Sequence, residues 1–232
     1  MKPNTPFMSY YGSGFYPCLD LHEWNIKTKH NFKIQRKFTK MIQPGNFACH
    51  NIHLETERLK LRPFKDADFD TAVPFYRDPE FLNAIEDSPP DEPVSKEYLK
   101  KAGKFMRDSG FLFAIVEKAS GRTIGEVCLQ WMNLERAKIE GEKVMRLPIG
   151  IWDKTLWGKG YGKEVVRCLM AHAFGKLDID RFCPVDVPAD NTRSVALWRS
   201  LGLTVARKAD GGKMLDFEIT RVEYEKAAQS ST

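Results

Sequence analysis

The chain has 232 residues, 42% of them apolar and 29% charged, and a formal net charge of +5. That length suits one α/β domain with an appendage, or two small domains, and that apolar share excludes a largely disordered chain. No apolar run approaches the ~18 residues a membrane span needs, and the N-terminus lacks the basic-then-apolar layout of a secretory signal.

Residues 1–50 hold seven of the 36 Lys/Arg and two of the 31 Asp/Glu, so the whole net charge sits there and the remainder is neutral. This stretch mixes Tyr, Phe, Gly, Asn and Lys without sustained strand or helix periodicity. It is expected to be a flexible basic extension, or an upstream start preceding one at Met41. A transit peptide or a tether to an anionic surface is the alternative, weakened by Asp20, Glu23 and scarce serine. A neutral body carries no nucleic-acid footprint.

From Ile52 the texture changes, and residues 51–228 are expected to form the folded domain, with 229–232 as a tail. Leu54, Leu59 and Leu61 alternate with charges up to Pro63, which predicts a strand. Asp66 and Asp68 are candidate caps of a helix carrying Ala72, Val73 and Phe75-Tyr76. After a proline-rich loop at Ser88–Pro93, Ser95 is expected to cap a helix that ends at Gly110. Phe111–Glu117 and Thr123–Met132 read as a hairpin, and Lys143–Trp152 as a further strand with Leu147, Ile149 and Ile151 on one face. A glycine-rich loop follows, then the clearest helix, whose apolar Val165, Val166, Leu169, Met170, Ala173 and Phe174 repeat at helical spacing. Arg181–Val187 reads as a short strand, Asn191–Leu201 as a helix, and Leu203–Ala206 with Met214–Val222 as a last hairpin.

The five cysteines (18, 49, 128, 168, 183) include no C-x-x-C pair, and the five histidines show no H-x-x-x-H spacing. Idle thiols in a reducing cytoplasm and no metal site are therefore expected.

Strand, then Trp157-Gly158-Lys159-Gly160-Tyr161-Gly162, then an amphipathic helix is an arrangement suited to an anion. Glycine lets the backbone come close to a ligand, and the helix start leaves amides unpaired at the positive end of the dipole. Lys159 and Lys163 add charge, so a diphosphate is the natural guest. The spacing fails the Walker pattern, because Trp157 and Glu164 stand where it needs Gly and Ser/Thr. It also fails G-x-G-x-x-G. The glycines alone leave the diphosphate unnamed, and a glycine-rich turn without a ligand stays open.

The segment Ile149–Gly162 resembles the acetyl-CoA motif of the GNAT superfamily, Q/R-x-x-G-x-G/A, with Trp157 at the Q/R place. Leu54–Phe64 (LETERLKLRPF) resembles the first strand of the branch that contains ribosomal-protein N-terminal and aminoglycoside 6′-acetyltransferases. Asp190–Leu203 (DNTRSVALWRSLGL) resembles that branch's N-x-x-S/A…GF segment. The resemblance runs from about Ile52 to Lys226. It implies an α/β fold with a mixed, mostly antiparallel sheet, splayed central parallel strands and flanking helices. It also implies acetyl-CoA as cosubstrate: Gly150, Ile151 and Trp152 would pair with the pantetheine arm, the amides of Trp157, Gly158, Lys159, Gly160, Tyr161, Gly162 and Lys163 would hold the pyrophosphate, and Asn191 would bond the cofactor. Pro148 would mark the bulge at which the strands splay. The expected activity is direct acetyl transfer to a primary amine, on a small molecule such as an aminoglycoside or polyamine, or on a protein N-terminus. The expected protein is a cytoplasmic monomer or homodimer without a membrane span, and nucleic acid is not among the expected partners of its neutral body; nucleic-acid binding by the basic extension is a separate class of function.

Proton handling departs from the superfamily. Trp198 stands where many members have a proton-donating tyrosine, and Pro148 where a glutamate is common. Ser194 is then the candidate acid, with helix capping as its plainer reading, and Asp153 or Glu126 the candidate base. Trp131, Trp152 and Phe113 would line an acceptor groove or, more plainly, fill the core. The missing groups also allow a second class, a catalytically weak acetyl-CoA-binding sensor or interaction module.

Overall fold

A computed structural model describes residues 50–85, 93–132 and 136–229. Nearly all of the basic extension, most of the Ser88–Pro93 loop and residues 133–135 and 230–232 lie outside the described residues. The expected first strand is instead a tight antiparallel hairpin, β1 (Leu54–Glu55) and β2 (Leu59–Pro63). Thr56 turns the chain, its amide donating to Leu59 O (3.0 Å) and its hydroxyl oxygen accepting from Leu59 N (3.0 Å).

Helix α1 (Asp66–Ala72) starts after Lys65, whose amide donates to Asp68 Oδ2 (2.7 Å). Asp68 is thus the capping carboxylate, and it also takes both ends of the Arg62 guanidinium (2.7 Å each). The helix stops before the expected Phe75-Tyr76 because Pro74 cannot continue the hydrogen-bond ladder. A 3₁₀ turn (Phe75–Arg77) and an unforeseen helix, α2 (Pro79–Ile85), follow. Helix α3 (Lys96–Ser109) starts as expected, with Ser95 Oγ accepting from Tyr98 N (3.1 Å).

The sheet adds β3 (Gly110–Glu117), β4 (Thr123–Trp131), β5 (Val144–Arg146), β6 (Ile149–Ile151), β7 (Arg181–Phe182), β8 (Val187–Pro188), β9 (Thr204–Ala209) and β10 (Met214–Thr220). Its order is β1-β2-β3-β4-β5-β7-β10-β8, with β6 also on β4 and β9 on β10. Every pair is antiparallel except β5 with β7. The expected mixed, mostly antiparallel sheet is what forms.

The parallel strands pair only at Val144 with Arg181 and Met145 with Phe182, and then part. The parting does not come from a bulge at Pro148. Gln130 faces Arg146 and Val127 faces Ile149 in one unbroken register, so Pro148 inserts no residue, and its carbonyl still accepts from Cys128 N (3.0 Å). The irregularity lies on the other strand, which the expected run Arg181–Val187 treated as continuous. Phe182 faces Ile219 but Val187 faces Leu215, which leaves one extra residue on the β7–β8 side. That is a β-bulge. Pro184 sits inside it without an amide to donate, and Asp186 takes a left-handed conformation at φ 54°.

Helices cover both faces. On one, α4 (Tyr161–Gly175) buries Val165, Val166, Leu169, Met170, Ala173 and Phe174 against Leu59, Leu61, Phe113, Ile115 and Val127 of the sheet. Each of these side chains except Ala173 contributes ~1.5–3 kcal/mol. Helix α5 (Thr192–Ser200) precedes the last hairpin, and α6 (Arg221–Gln229) replaces the end of the strand expected to reach Val222. Glu223 accepts from both Thr220 N (2.8 Å) and Thr220 Oγ1 (2.7 Å), and that cap starts the helix. On the opposite face a second core gathers Phe69, Tyr76, Phe81, Tyr98 and Leu99 around Trp152.

Candidate active site

Between the parted strands lies a cavity of about 580 Å³. Arg146–Ile151 line one side, Pro184–Pro188 the other, and α2, the start of α4 and one face of α5 close it. Backbone alternation decides which polar groups face the gap. The carbonyls of Lys143 and Met145 accept from Arg181 N (3.2 Å) and Cys183 N (2.7 Å) across the parallel pair, so Ile149 and Ile151 continue toward the gap. Gly150 lies opposite Glu126, and Trp152 N donates to Ile124 O (2.9 Å), so these two turn their backbone groups to β4. Of the three residues expected to pair with a ligand arm, Ile151 faces the gap, and Ile149 joins it.

At one end of the cavity the chain turns through Gly158 (φ 73°) and Gly160 (φ 83°), conformations that cost a side-chain-bearing residue ~1–2 kcal/mol. Glu164 N is the first amide of α4 to find a backbone acceptor, Gly160 O (3.0 Å). Among the described residues the amides from Gly158 to Lys163 have none, and their dipole end points at whatever fills the cavity. Gly158, Gly160, Tyr161, Gly162 and Lys163 line it, and Lys159 does not. Trp157 also lines it, its indole donating to Ile151 O (2.7 Å), with the Arg193 guanidinium 4.0 Å above its ring.

This loop is held from outside by residues the sequence reading passed over. Glu164 Oε1 accepts from Arg58 N (2.9 Å) and its Oε2 from Arg58 Nε (2.6 Å), while Arg58 Nη1 donates to Lys159 O (3.0 Å). Arg58 also covers the Tyr161 ring at 4.3 Å.

The other candidates separate clearly. Ser194 lines the cavity, and its hydroxyl makes no hydrogen bond among the described residues; the cap of α5 is Asn191, whose Oδ1 accepts from Ser194 N (3.1 Å). Asn191 Nδ2 donates to Ala84 O (2.9 Å), so that side chain mainly ties α5 to α2. Asp153 caps its own turn, accepting from Thr155 Oγ1 (2.6 Å) and Thr155 N (2.9 Å). The Thr155 hydroxyl holds its carboxyl below the usual value, the wrong direction for a base, and Asp153 does not line the cavity. Glu126 is buried beneath the Tyr76 hydroxyl (2.8 Å) and the Trp152 indole, which both donate to it. Trp152 and Phe113 are core, fully buried, and Trp131 packs on the core's edge. Trp198 lines the cavity at 3% exposure, its indole nitrogen buried without a partner among the described residues. Asp186, read only as part of a strand, lines the cavity as well. Pro184, two residues before it, is the feature that could have announced the bulge.

Among the described residues no cluster of three or more His, Cys, Asp or Glu could hold a metal ion, and no helix is long and apolar enough to cross a membrane. Residues 58–204 match the acetyltransferase (GNAT) domain family. The chain is 25% identical over 181 residues to the uncharacterized N-acetyltransferase p20 of Bacillus licheniformis, covering 74% of this chain and 97% of that one. In fold it is similar to a GCN5-related N-acetyltransferase from Brucella melitensis (TM-score 0.59, 16% identity, 79% of this chain and 86% of that one). It is also similar to the ribosomal-protein-S5-alanine acetyltransferase from Vibrio fischeri (TM-score 0.57, 18% identity, 75% and 99%). Because the family match spans both parted strands and the helix start between them, the chain belongs to the GNAT acetyltransferase family and is an acyltransferase.

Proposed function

We propose that the chain transfers an acetyl group directly from acetyl-CoA to a primary amine. The observation that carries this reading is the cavity between the parted strands, which ends on the unpaired amides of residues 158–163. Those amides and Lys163 suit the pyrophosphate, with Arg193 on its Trp157 shelf at the rim. The gap-facing backbone of Ile149 and Ile151 offers an edge along which an amide-bearing arm can lie as an added strand. A backbone amide on that edge would also stabilise the oxyanion of the tetrahedral intermediate.

Acetyl transfer needs a neutral amine, and alkylamines are protonated at pH 7 with pKa near ~10, so a proton must leave first. The departing thiolate then needs a proton donor. The unengaged hydroxyl of Ser194 is the group we assign to that relay. Trp198 cannot serve as an acid, because an indole N–H only donates a hydrogen bond.

The test combines calorimetry with acetyl-CoA and release of free thiol in the presence of spermidine, kanamycin and an alanine-first peptide. Heat together with amine-dependent thiol release supports the reading. Heat without thiol release favours the acetyl-CoA-binding sensor, and no heat removes both. Ser194→Ala should slow turnover by ~10–100-fold while leaving acetyl-CoA affinity unchanged.

A further inference from the structure

Neither Asp153 nor Glu126 can receive the amine's proton, since both carboxylates are engaged away from the cavity. Asp186 stands differently. It lines the cavity, its side chain is 9% exposed, and its nearest cation, Arg207 Nη2, is 3.8 Å from Oδ1, beyond hydrogen-bond reach. Other buried carboxylates here are well supplied: Asp68 takes the Lys65 amide and Arg62, and Asp216 takes the Asp186 amide and Arg207. A carboxylate this buried and without donors is costly, and a ligand that brings N–H groups would satisfy it.

The bulge is what puts Asp186 there. The extra residue between Phe182 and Val187 breaks the alternation that would otherwise set the direction of this side chain. The left-handed conformation is held from below, where Asp186 N donates to Asp216 Oδ1 (2.9 Å) and Arg207 Nε donates to Asp216 Oδ2 (2.6 Å). The charged groups around Asp186 are Asp216 of β10, Arg207 of β9, Arg146 of β5 and Arg136 of the connection before β5. Burial, aided by Asp216, pushes the Asp186 carboxyl above its ordinary value, and the three arginines pull against that without prevailing.

We infer that Asp186 receives the acceptor's ammonium in this cavity and takes its proton, with Asp216 and Arg207 as positioning residues. The inference rests on the amine-acetylation reading above. The ammonium gives one proton to the Asp186 carboxylate and becomes a neutral amine. Its lone pair forms the C–N bond at the thioester carbonyl carbon. Collapse of the intermediate breaks the C–S bond, the electron pair leaves on sulfur, and the second nitrogen proton ends on that thiolate. Asp186 returns its proton to solvent, so one proton is released per turnover.

The test uses the full chain and Asp186→Asn, which keeps the side chain's size and tolerates the left-handed backbone. Acetyl-CoA binding is read by calorimetry, and kcat/KM against pH with the same three amines. The expected result is unchanged acetyl-CoA binding, a loss of roughly 100-fold or more in kcat/KM, and disappearance of the acidic limb of the pH profile. Asp216→Asn should shift that limb rather than abolish it. An Asp186→Asn protein with wild-type turnover and an unchanged acidic limb overturns the assignment alone. A wild type that binds acetyl-CoA but acetylates none of the amines overturns the amine reading and the assignment with it. Should the variant not fold, carboxyl-carbon NMR of the wild type decides: a midpoint for Asp186 above 3.8 supports the inference, and one at or below that value sinks it.

Discussion

Replacing Glu164 with alanine removes the acceptor that ties the β1–β2 turn to the start of α4. The carboxylate is 17% exposed and accepts from the Arg58 amide, the Arg58 guanidinium and the Thr56 hydroxyl. Without it the Arg58 amide loses its half-buried partner, at ~1–3 kcal/mol. Thr56 can swing back toward Leu59 O (3.4 Å), and the guanidinium, 39% exposed, finds water, so the lost ion pair adds ~1 kcal/mol at most. The sum is about 1–4 kcal/mol, or roughly 2–16 °C in Tm for a domain of this size. Glu164→Gln keeps one acceptor oxygen and should cost only ~1 kcal/mol.

Burial works hardest against the Glu164 carboxylate, yet Thr56 and Arg58 together hold its pKa below the ordinary value. Its stabilisation is therefore present above the ordinary glutamate pKa and disappears as pH falls through the lowered one. Melting curves of the three proteins between pH 7 and pH ~3, with acetyl-CoA titrations at neutral pH, check each step. The alanine variant should also bind acetyl-CoA about tenfold more weakly, because the loop must then be ordered by the ligand. Equal melting temperatures for wild type and alanine variant at neutral pH, or a gap that widens on acidification, would refute the reasoning.

Gly160→Ala should weaken acetyl-CoA binding about tenfold while lowering stability by only ~1–2 kcal/mol, since its φ of 83° is strained for alanine and the new Cβ would lie 3.5 Å from Arg58 Nη2; calorimetry and thermal melts read both. Asp68→Ala leaves the Lys65 amide without its acceptor and the half-buried Arg62 guanidinium with only Pro63 O and Thr123 Oγ1, and should cost ~2–4 kcal/mol, seen as a drop in denaturation midpoint. In the native protein Cys128 and Cys183 should resist iodoacetamide at pH 8, because burial pushes both thiols up, Cys183 to about 11; peptide mapping by mass spectrometry would show modification of either if this is wrong.

Features that depend on a few neighbouring residues were legible in the chain itself. The helical repeat from Val165 to Phe174, the Ser95 cap and the hairpin from Phe111 to Met132 all appear where periodicity and cap chemistry place them. The glycine-rich segment also announced a helix start with free amides, because glycine and helix geometry act locally. Misreadings arose where a local pattern met a distant partner. Leu54–Pro63 alternates like one strand, but Thr56 folds it back on itself. Pro148 suggested a bulge, yet pairing with β4 carries the chain straight past it.

By itself, then, the sequence announced most of the helices and strands, the resemblance to the family and a helix start whose amides stay unpaired, since propensity and spacing act within a turn or two. Tertiary structure alone decided which carboxylates are engaged and which stands over the cavity. Glu164 meets Arg58 from 106 residues away, and Asp186 owes its position to a register difference against β10 and to the hold of Asp216. Such contacts depend on how strands pair across the sheet; Pro184 can mark an irregular strand, but not which carboxylate it aims or what holds it there.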